Sequence, residues 1–333
     1  MDRLLAINNV DISENRPRAN PMKPAPPIRR LSSWRCYSQA MGKRIFLFIL
    51  TNLAVVLTLS IVLSILGVGR YVGPRGLDIG ALATLSFVWG MGGAFISLQM
   101  SRWMAKMATG MKIVDGRTGN ADADRVYAMV AGLTQKAGLP MPEVGVYDSP
   151  EVNAFATGPS KNRALVAVST GLLRSMRDDE VEGVLGHEIT HIANGDMVTM
   201  TLLQGVINAF VIFFSRLIAY VIANRGGDRE RGYSGGSFLV VIVLQIVLGI
   251  LGSLIVAWFS RQREFRADYG GATLAGRDRM IGALRRLAAN HELVDTRHEA
   301  LATLKIQGGR NWMAFFATHP PLEARIAALE RMN

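Results

Sequence analysis

Cysteine and histidine are scarce in this sequence, which limits the disulfides and metal sites that the chain can form. A single cysteine, Cys36, occurs among 333 residues, so the chain cannot form an internal disulfide or a metal site built from several thiolates. The lack of paired cysteines fits a reducing compartment. Five histidines are present, so two of them at the spacing of metal ligands would be significant.

Charged residues are also few, at 19% of the chain, but their balance is strongly basic. The 37 lysines and arginines outnumber the 26 aspartates and glutamates, which gives a net charge of +11. Mean hydropathy is nevertheless positive, at +0.23. Basic soluble proteins rarely combine these values, so the composition indicates a membrane protein with charged soluble parts and excludes a chain that is disordered throughout.

Four apolar stretches without a charged residue are long enough to cross a bilayer. A hydrocarbon core about 30 Å thick needs roughly 20 helical residues. The third stretch contains Gln204 and Asn208, so a buried helix of a soluble domain is the alternative there, and the fourth contains Gly249 and Gly252, which allow close helix approach. The four stretches are 45–66, 79–100, 197–215 and 238–259.

The basic residues near the first two stretches predict an orientation. Five lie between positions 29 and 44, two lie between the stretches, and four lie between positions 102 and 117. By the positive-inside rule, this distribution places the N-terminus and the chain after position 100 in the cytoplasm. The rule does not settle the second hairpin, whose loop is itself basic.

The chain therefore divides into five segments. Residues 1–40 form a basic, proline-rich tail that we expect to be disordered. Two-span hairpins are predicted over 41–100 and 197–260, and soluble segments over 101–196 and 261–333. In the first soluble segment, helical periodicity covers 121–138, short strands are predicted over 143–147, 152–157 and 165–169, and a helix with an acidic first turn begins at 178.

That last helix carries the sequence HEITH at positions 187–191. Residues four apart on a helix share a face and lie about 6 Å apart along its axis, so His187 and His191 can bind one metal ion. Glu188 lies roughly 100° round the helix, where its carboxylate can take a proton from the water that the metal activates. Zinc accepts neutral imidazole ligands, so the pattern indicates a catalytic zinc site rather than two surface histidines.

A third protein ligand must come from elsewhere in the chain. An acidic pair at i and i+4, Glu264 and Asp268, suits one carboxylate as a ligand and the other as the partner of a ligand histidine. The alternative is a helix surface on which Glu264 pairs with neighbouring arginines. If both later apolar stretches span the membrane, the hairpin returns Glu264 to the side of His187. The remaining histidines are His291, His298 and His319.

Four sequence elements together resemble the HtpX-type membrane zinc metalloproteases, a family related to the CAAX prenyl endopeptidases. In family order they are NAFATG at 153–158, HEITHIANGD at 187–196, SRQREFRAD at 260–268 and THPPLEARI at 318–326. The resemblance covers position 41 to the C-terminus and leaves residues 1–40 outside it.

The resemblance implies the chemistry of the metal site. His187, His191 and Glu264 are expected to bind one zinc ion per chain. Glu188 is then the general base, and Asp268 is a hydrogen-bond partner that lies behind the ligands.

The resemblance also implies substrate contacts. The stretch that begins with Asn153, Ala154 and Phe155 is similar to an edge strand along which the substrate backbone lies, a binding mode with little side-chain specificity. His319 and Arg325 match the C-terminal motif and are candidates to stabilise the transition state.

A fold and a function follow from the resemblance as expectations. We expect an α-helical membrane protein with a cytoplasmic α+β zincin-like metalloprotease domain, mostly helical with a small sheet. Its expected task is to hydrolyse misfolded or damaged proteins, membrane proteins among them, at the cytoplasmic face of the bacterial inner membrane. Both termini and the active site are expected to be cytoplasmic.

Two other functions are open. The chain can be a site-specific processing protease, or a membrane scaffold that keeps a metal ion for its structure alone. The basic charge does not indicate a nucleic-acid partner, because the arginines cluster at the ends of the apolar stretches rather than in a patch with aromatic residues.

Overall fold

The computed structural model describes residues 57–59, 61–65, 72–73, 76–224, 235–297 and 319–332. The tail predicted over 1–40, most of the first apolar stretch, the loop at 225–234 and His298 lie outside the described residues. In chain order the elements are β1 (Val72–Gly73), β2 (Gly76–Leu77), α1 (Ile79–Phe87), a π-helical turn (Val88–Gly92), α2 (Gly93–Thr109), β3 (Lys112–Val114), α3 (Ala121–Lys136), β4 (Glu143–Tyr147), β5 (Ala154–Thr157), a 3-10 turn (Lys161–Arg163), β6 (Leu165–Ser169), α4 (Thr170–Ser175), α5 (Asp178–Asn194), α6 (Asp196–Asn224), α7 (Gly235–Ala275), α8 (Arg277–Arg297) and α9 (Leu322–Glu330).

Three helical segments of the described chain are long and apolar enough to cross a membrane: Ile79–Thr109, Asp196–Asn224 and Phe238–Ala275. They correspond to the last three apolar stretches of the sequence. The helix of the third stretch continues past Arg216, and large apolar side chains point outward from it every fourth residue. This stripe suits contact with lipid and disfavours the alternative of a buried soluble helix. The stripe consists of Leu202, Val206, Phe210 and Phe214.

A four-stranded sheet has the order β3-β4-β6-β5. Strand β6 runs parallel to β4 and antiparallel to β5. Every residue of β6 is buried, as expected for a central strand with a continuous apolar run. The strands predicted over 143–147 and 165–169 are present, whereas the strand predicted over 152–157 begins two residues later, at Ala154, and lies at the sheet edge.

Helix α5 packs against this sheet with one face. Leu185, Ile189 and Ile192, at helical spacing, are almost completely buried in the core that α5 shares with α3, β4 and β6. Each such side chain contributes about 1.5–3 kcal/mol of transfer free energy. The start of the helix is fixed by the backbone N–H of Arg177, which donates to the Glu180 carboxylate at 2.8 Å. The opposite face of α5 is left for the two histidines.

Glycines let α5 approach α7 closely. A Cβ atom on Gly271 of α7 would lie 2.9 Å from the backbone nitrogen of His187, and one on Gly186 of α5 would lie 3.2 Å from the carbonyl oxygen of Gly271. Larger side chains at either position would separate the helices. The close contact places the histidines of α5 directly beside the side chains of α7.

Two further features fix the surroundings of this contact. Gly195 has a left-handed φ of 71°, which ends α5 so that α6 begins at the next residue. Helix α9 packs on α8 through a small apolar cluster that contains Met280, Leu284 and Leu329. The cluster holds Arg325 of α9 in a buried position.

The substitution Gly271→Val should force α5 and α7 apart. Overpacking of this kind typically costs about 1–3 kcal/mol, so we expect the melting temperature in detergent to fall by roughly 3–9 °C. Gly132→Val is the matched control, because a Cβ atom on Gly132 of α3 meets no described atom within 4 Å. Equal melting temperatures for the two variants would show that the close contact between α5 and α7 does not contribute to stability.

Candidate metal centre

Helix α5 brings His187 and His191 to one point. The two residues lie one turn apart, and their Nε2 atoms are 3.1 Å from each other. The rings meet edge to face, with centroids 4.6 Å apart, and both side chains are buried. Two imidazole nitrogens therefore converge on a common position between α5 and α7.

Glu264 of α7 completes a group of three. Its Oε2 lies 3.4 Å from Nε2 of His187, and its Oε1 lies 3.5 Å from Nε2 of His191. The side chain is almost completely buried. The sequence placed Glu264 just beyond the fourth span, but α7 continues without a break from the apolar stretch to Ala275, so the span and this carboxylate share one helix.

These three side chains have the geometry of a metal site. Ligand atoms placed 2.0–2.1 Å from a tetrahedral ion lie about 3.3 Å from one another, close to the three distances given above. In addition, Glu264 is buried, and nitrogen atoms of His187, His319 and Arg325 surround its Oε2. The group can therefore hold a metal ion.

Each histidine is oriented by a carboxylate behind it. Asp268 Oδ1 lies 2.9 Å from Nδ1 of His187, and Asp196 Oδ2 lies 2.6 Å from Nδ1 of His191. With Nδ1–H donating to an aspartate, each ring turns the lone pair of Nε2 towards the common position. Partners of this kind fix the tautomer of a metal-binding histidine and raise its basicity.

Asp196 was not among the candidate residues from the sequence. Asp196 follows the HEITH motif by five residues and is the first residue of α6. The turn at Gly195 brings its carboxylate close to His191. A glycine that ends the helix, followed directly by an acidic residue, was the only feature of the sequence that could have indicated this contact. By contrast, Asp268 was among the residues expected from the sequence; it lies on the same helix face as Glu264 and contacts Nδ1 of His187.

The two residues of the C-terminal motif occupy different positions. Arg325 is buried and donates from Nε and Nη2 to the two oxygens of Asp268, at 2.7 and 2.5 Å. Its guanidinium therefore holds the carboxylate that orients His187. The side chain of His319 is 64% exposed, and its Nδ1 lies 2.9 Å from Glu264 Oε2. His319 is thus the more accessible of the two.

The carboxylates raise the pKa values of both histidines. Burial lowers the pKa of His187, but its contacts with Asp268 and Glu264 and the charge of Glu188 outweigh burial and raise the pKa to about 9. Burial also opposes the shift at His191, whose contacts with Asp196 and Glu264 raise its pKa. In the metal-free protein both rings therefore favour protonation.

Glu188 and the edge strand share a cavity with this centre. The cavity has a volume of about 140 Å³, and Glu188 makes no hydrogen bond or ion pair with any described residue. Asn153 and Ala154, from the start of β5, line the same cavity, whereas the ring of Phe155 packs towards Tyr147, with centroids 6.0 Å apart. The other lining residues are Val152, Leu172, Val184, His187, Glu264, Met280, Ala283, Leu284, Leu287, His319 and Arg325.

Comparison with known proteins identifies the chain's relatives. The sequence model of peptidase family M48 matches residues 120–333, a region that contains the whole candidate centre. The chain belongs to this family. It is 54% identical over 298 residues to the Protease HtpX homolog of Bacillus licheniformis, covering 87% of this chain and 99% of that protein. Protease HtpX of Acinetobacter baylyi is 50% identical over 297 residues, covering 87% and 99%.

These relatives confirm the family resemblance found in the sequence. They make this M48 chain a membrane metalloprotease, which agrees with its three apolar helices and its buried His-His-Glu group. The crystal structure of S. mikatae Ste24p matches with a TM-score of 0.56 at 17% identity, covering 86% of this chain and 66% of that one. The match concerns the fold alone and supports the expected, mostly helical membrane fold with a small sheet.

Removal of the Asp196 carboxylate should weaken metal binding by this peptidase. In Asp196→Ala the Nδ1–H of His191 loses its acceptor, and changes of this kind typically cost about 10–100-fold in metal affinity. The measurement is a competition titration of the purified, metal-free protein with Zn²⁺ and a chromophoric chelator. Asp148→Ala, which removes an exposed aspartate outside the centre, is the control. Equal affinities for both variants would contradict the assigned role.

Metal affinity should also rise with pH, because protons compete with the metal for the imidazoles. His187 keeps a proton below a pKa of about 9, and metal binding must displace it. Between about pH 6 and 8, we therefore expect the apparent dissociation constant for Zn²⁺ to fall roughly tenfold per unit of pH for each displaced proton. The same titration at several pH values measures this slope. A dissociation constant that is flat or rises with pH would show that the imidazoles are not the ligands.

Proposed function

We propose that this M48 chain is a zinc-dependent endopeptidase that hydrolyses unfolded, misfolded or damaged proteins, membrane proteins among them, at the cytoplasmic face of the bacterial inner membrane. The main support for the proposal is the convergence of two imidazoles and one buried carboxylate beside Glu188, whose own carboxylate pairs with no described residue. A structural metal site has no need of a free base at an open cavity.

The metal in this proposal is zinc, one ion per chain. Two imidazoles and a carboxylate form a ligand set of catalytic zinc sites, and the only cysteine of the chain lies far from them in sequence. His187, His191 and Glu264 would hold the ion. When bound, it would polarise the scissile carbonyl and lower the pKa of the attacking water.

Glu188 performs the proton transfers. It lies next to His187 in α5, is half-buried and faces the same cavity as the ligands. Its carboxylate takes the proton of the attacking water and later delivers it to the leaving amine. The exposed position of His319 suits a contact with the oxyanion of the transition state, and Arg325 supports the centre through Asp268.

The edge strand β5 supports an unselective mode of substrate binding. No described strand pairs with the side of β5 that faces away from β6, so its backbone groups are open to an added strand. Strand addition uses main-chain hydrogen bonds, which every extended polypeptide can make. Unfolded segments supply such a strand, whereas folded proteins do not. Asn153 and Ala154 would then guide the substrate backbone past Glu188.

The positions of basic residues support the cytoplasmic face. Arg102 and Lys106, near the end of α2, both pair with Glu143 of β4, so the sheet lies at the basic end of the membrane helix. In this arrangement the soluble protease domain comprises 101–196 and 261–333, and the hairpins over 41–100 and 197–260 lie in the membrane. The substrate, the bilayer and the metal are the expected partners.

The substitution Glu188→Gln tests this mechanism. It should reduce cleavage of casein by at least about a hundredfold, because amide nitrogen cannot take the proton from water. The bound metal, measured by atomic absorption, should stay at the wild-type level. Glu182→Gln, on the same helix but paired with Arg279, should keep full activity. Casein cleavage by Glu188→Gln at the wild-type rate would show that Glu188 is not the general base. A wild-type protein that binds the metal but cleaves no casein would instead favour a scaffold in which the metal serves the structure.

A further inference from the structure

A second cavity lies between the membrane helices. It has a volume of about 520 Å³, and we call it the α6–α7 groove. Five of its lining residues carry polar side chains: Trp89, Gln204, Asn208, Gln245 and Ser253. Apolar side chains of α6 and α7 make up most of the remainder. Polar side chains are rare at this depth in membrane helices and usually serve contacts with other helices or a ligand.

The polar groups of the α6–α7 groove are only partly satisfied. The Gln204 amide donates to Asn208 Oδ1 at 2.9 Å, and the Ser253 hydroxyl donates to the carbonyl of Ile250 at 2.7 Å. The amide of Gln245 has no hydrogen-bond partner among the described residues, and the NH₂ group of Asn208 is likewise unused there. Hydrocarbon offers such groups no partner, so their position favours the approach of another polar group.

The shape of the α6–α7 groove suits a helix. A Cβ atom on Gly249 would meet no described atom within 4 Å, so this part of α7 is open. Gly249 and Ser253 lie one turn apart on the same helix face. Small residues at this spacing allow a second membrane helix to come close enough for van der Waals contact and interhelical hydrogen bonds.

The described part of the chain's own first apolar stretch lies outside the α6–α7 groove. Its described residues Thr58, Leu59 and Val62 line a different cavity, formed with α1, α2 and the first turns of α6. Leu59 and Leu63 are buried there. The α6–α7 groove is therefore not occupied by this part of the chain.

The two helices that form the α6–α7 groove each carry a residue of the candidate metal centre. Helix α6 begins at Asp196, which contacts His191, and Gln204 is eight residues, or about 12 Å, further along. Helix α7 carries Glu264, and Ser253 is eleven residues, or about 16 Å, before it. A helix that lies in the groove would thus leave the membrane close to the centre.

We propose that the α6–α7 groove binds a transmembrane helix of a protein substrate, one that carries an amide or hydroxyl side chain near the middle of the bilayer. The side chain pairs with Gln245 and Asn208, and the segment that follows the helix reaches β5 and the metal centre. A correctly assembled membrane protein keeps such polar groups against its own helices, so the groove selects helices that have lost their partners. This inference rests on the proposed peptidase function.

The test compares two substrates in liposomes of defined phospholipid. One is a single-span protein with asparagine at mid-helix and an unfolded juxtamembrane segment; its twin has leucine there. The double variant Asn208→Leu/Gln245→Leu removes the polar partners, whereas Ile246→Leu alters an exposed apolar position beside them on α7. Casein is the reference for each enzyme, so every result is a ratio of the rate with the helix substrate to the rate with casein.

For the asparagine substrate, we expect this ratio to fall about three- to tenfold in the double variant, and to stay at the wild-type value in Ile246→Leu. The leucine substrate should show a low ratio with all three enzymes. An unchanged ratio in the double variant, or equal ratios for the two substrates with wild type, would overturn the proposal. If wild type fails to cleave casein, the proposed function itself is wrong.

A photo-crosslinking residue at Val211, which lines the α6–α7 groove, identifies the occupant directly. We expect it to capture the asparagine substrate in a Glu188→Gln background, and the same residue at Ile246 to capture much less. A crosslink between two copies of the enzyme, or lipid adducts alone, would assign the groove to a different occupant and overturn the proposal.

Discussion

The close contact between α5 and α7 determines the geometry of the candidate metal centre. It brings the buried carboxylate of Glu264 against two imidazoles, and an isolated buried carboxylate would be strongly unfavourable. Gly186 and Gly271 make the distance possible, and the apolar face of α5 holds the helix against the sheet from the other side. Because α7 is also a membrane helix, the position of Glu264 is fixed with respect to the bilayer.

The charges around this contact favour a divalent cation. Three buried carboxylates, those of Asp196, Glu264 and Asp268, surround the two histidines, and the guanidinium groups of Arg325 and Arg263 contact Asp268 and Glu264 respectively. With neutral histidines the carboxylates outnumber the guanidinium groups, and a bound divalent ion would compensate the excess negative charge. Without the ion, protons on the imidazoles provide the compensation, which explains why the pKa of His187 is raised. Protons on the imidazoles and a bound metal ion thus compensate the same negative charge.

Local patterns in the sequence predicted part of this arrangement and missed the rest. Helical spacing alone predicted the pairing of His187 with His191 and of Glu264 with Asp268, because residues four apart share a helix face. Asp196 was missed because its contact depends on a turn between two helices. The uninterrupted α7 and the helix α8 were missed for a related reason: the apolar signal ends at position 259, and tertiary packing continues the helix beyond it.

In the proposed metal centre, the second membrane hairpin returns Glu264 to the two histidines of α5. The metal content of the purified protein tests this role of Glu264 most directly. After dialysis against a weak chelator and one equivalent of Zn²⁺, wild-type protein should retain about one ion per chain, and Glu264→Ala should retain almost none, since two imidazoles alone bind zinc weakly. Equal zinc content in the two proteins would contradict the role of Glu264 as a metal ligand.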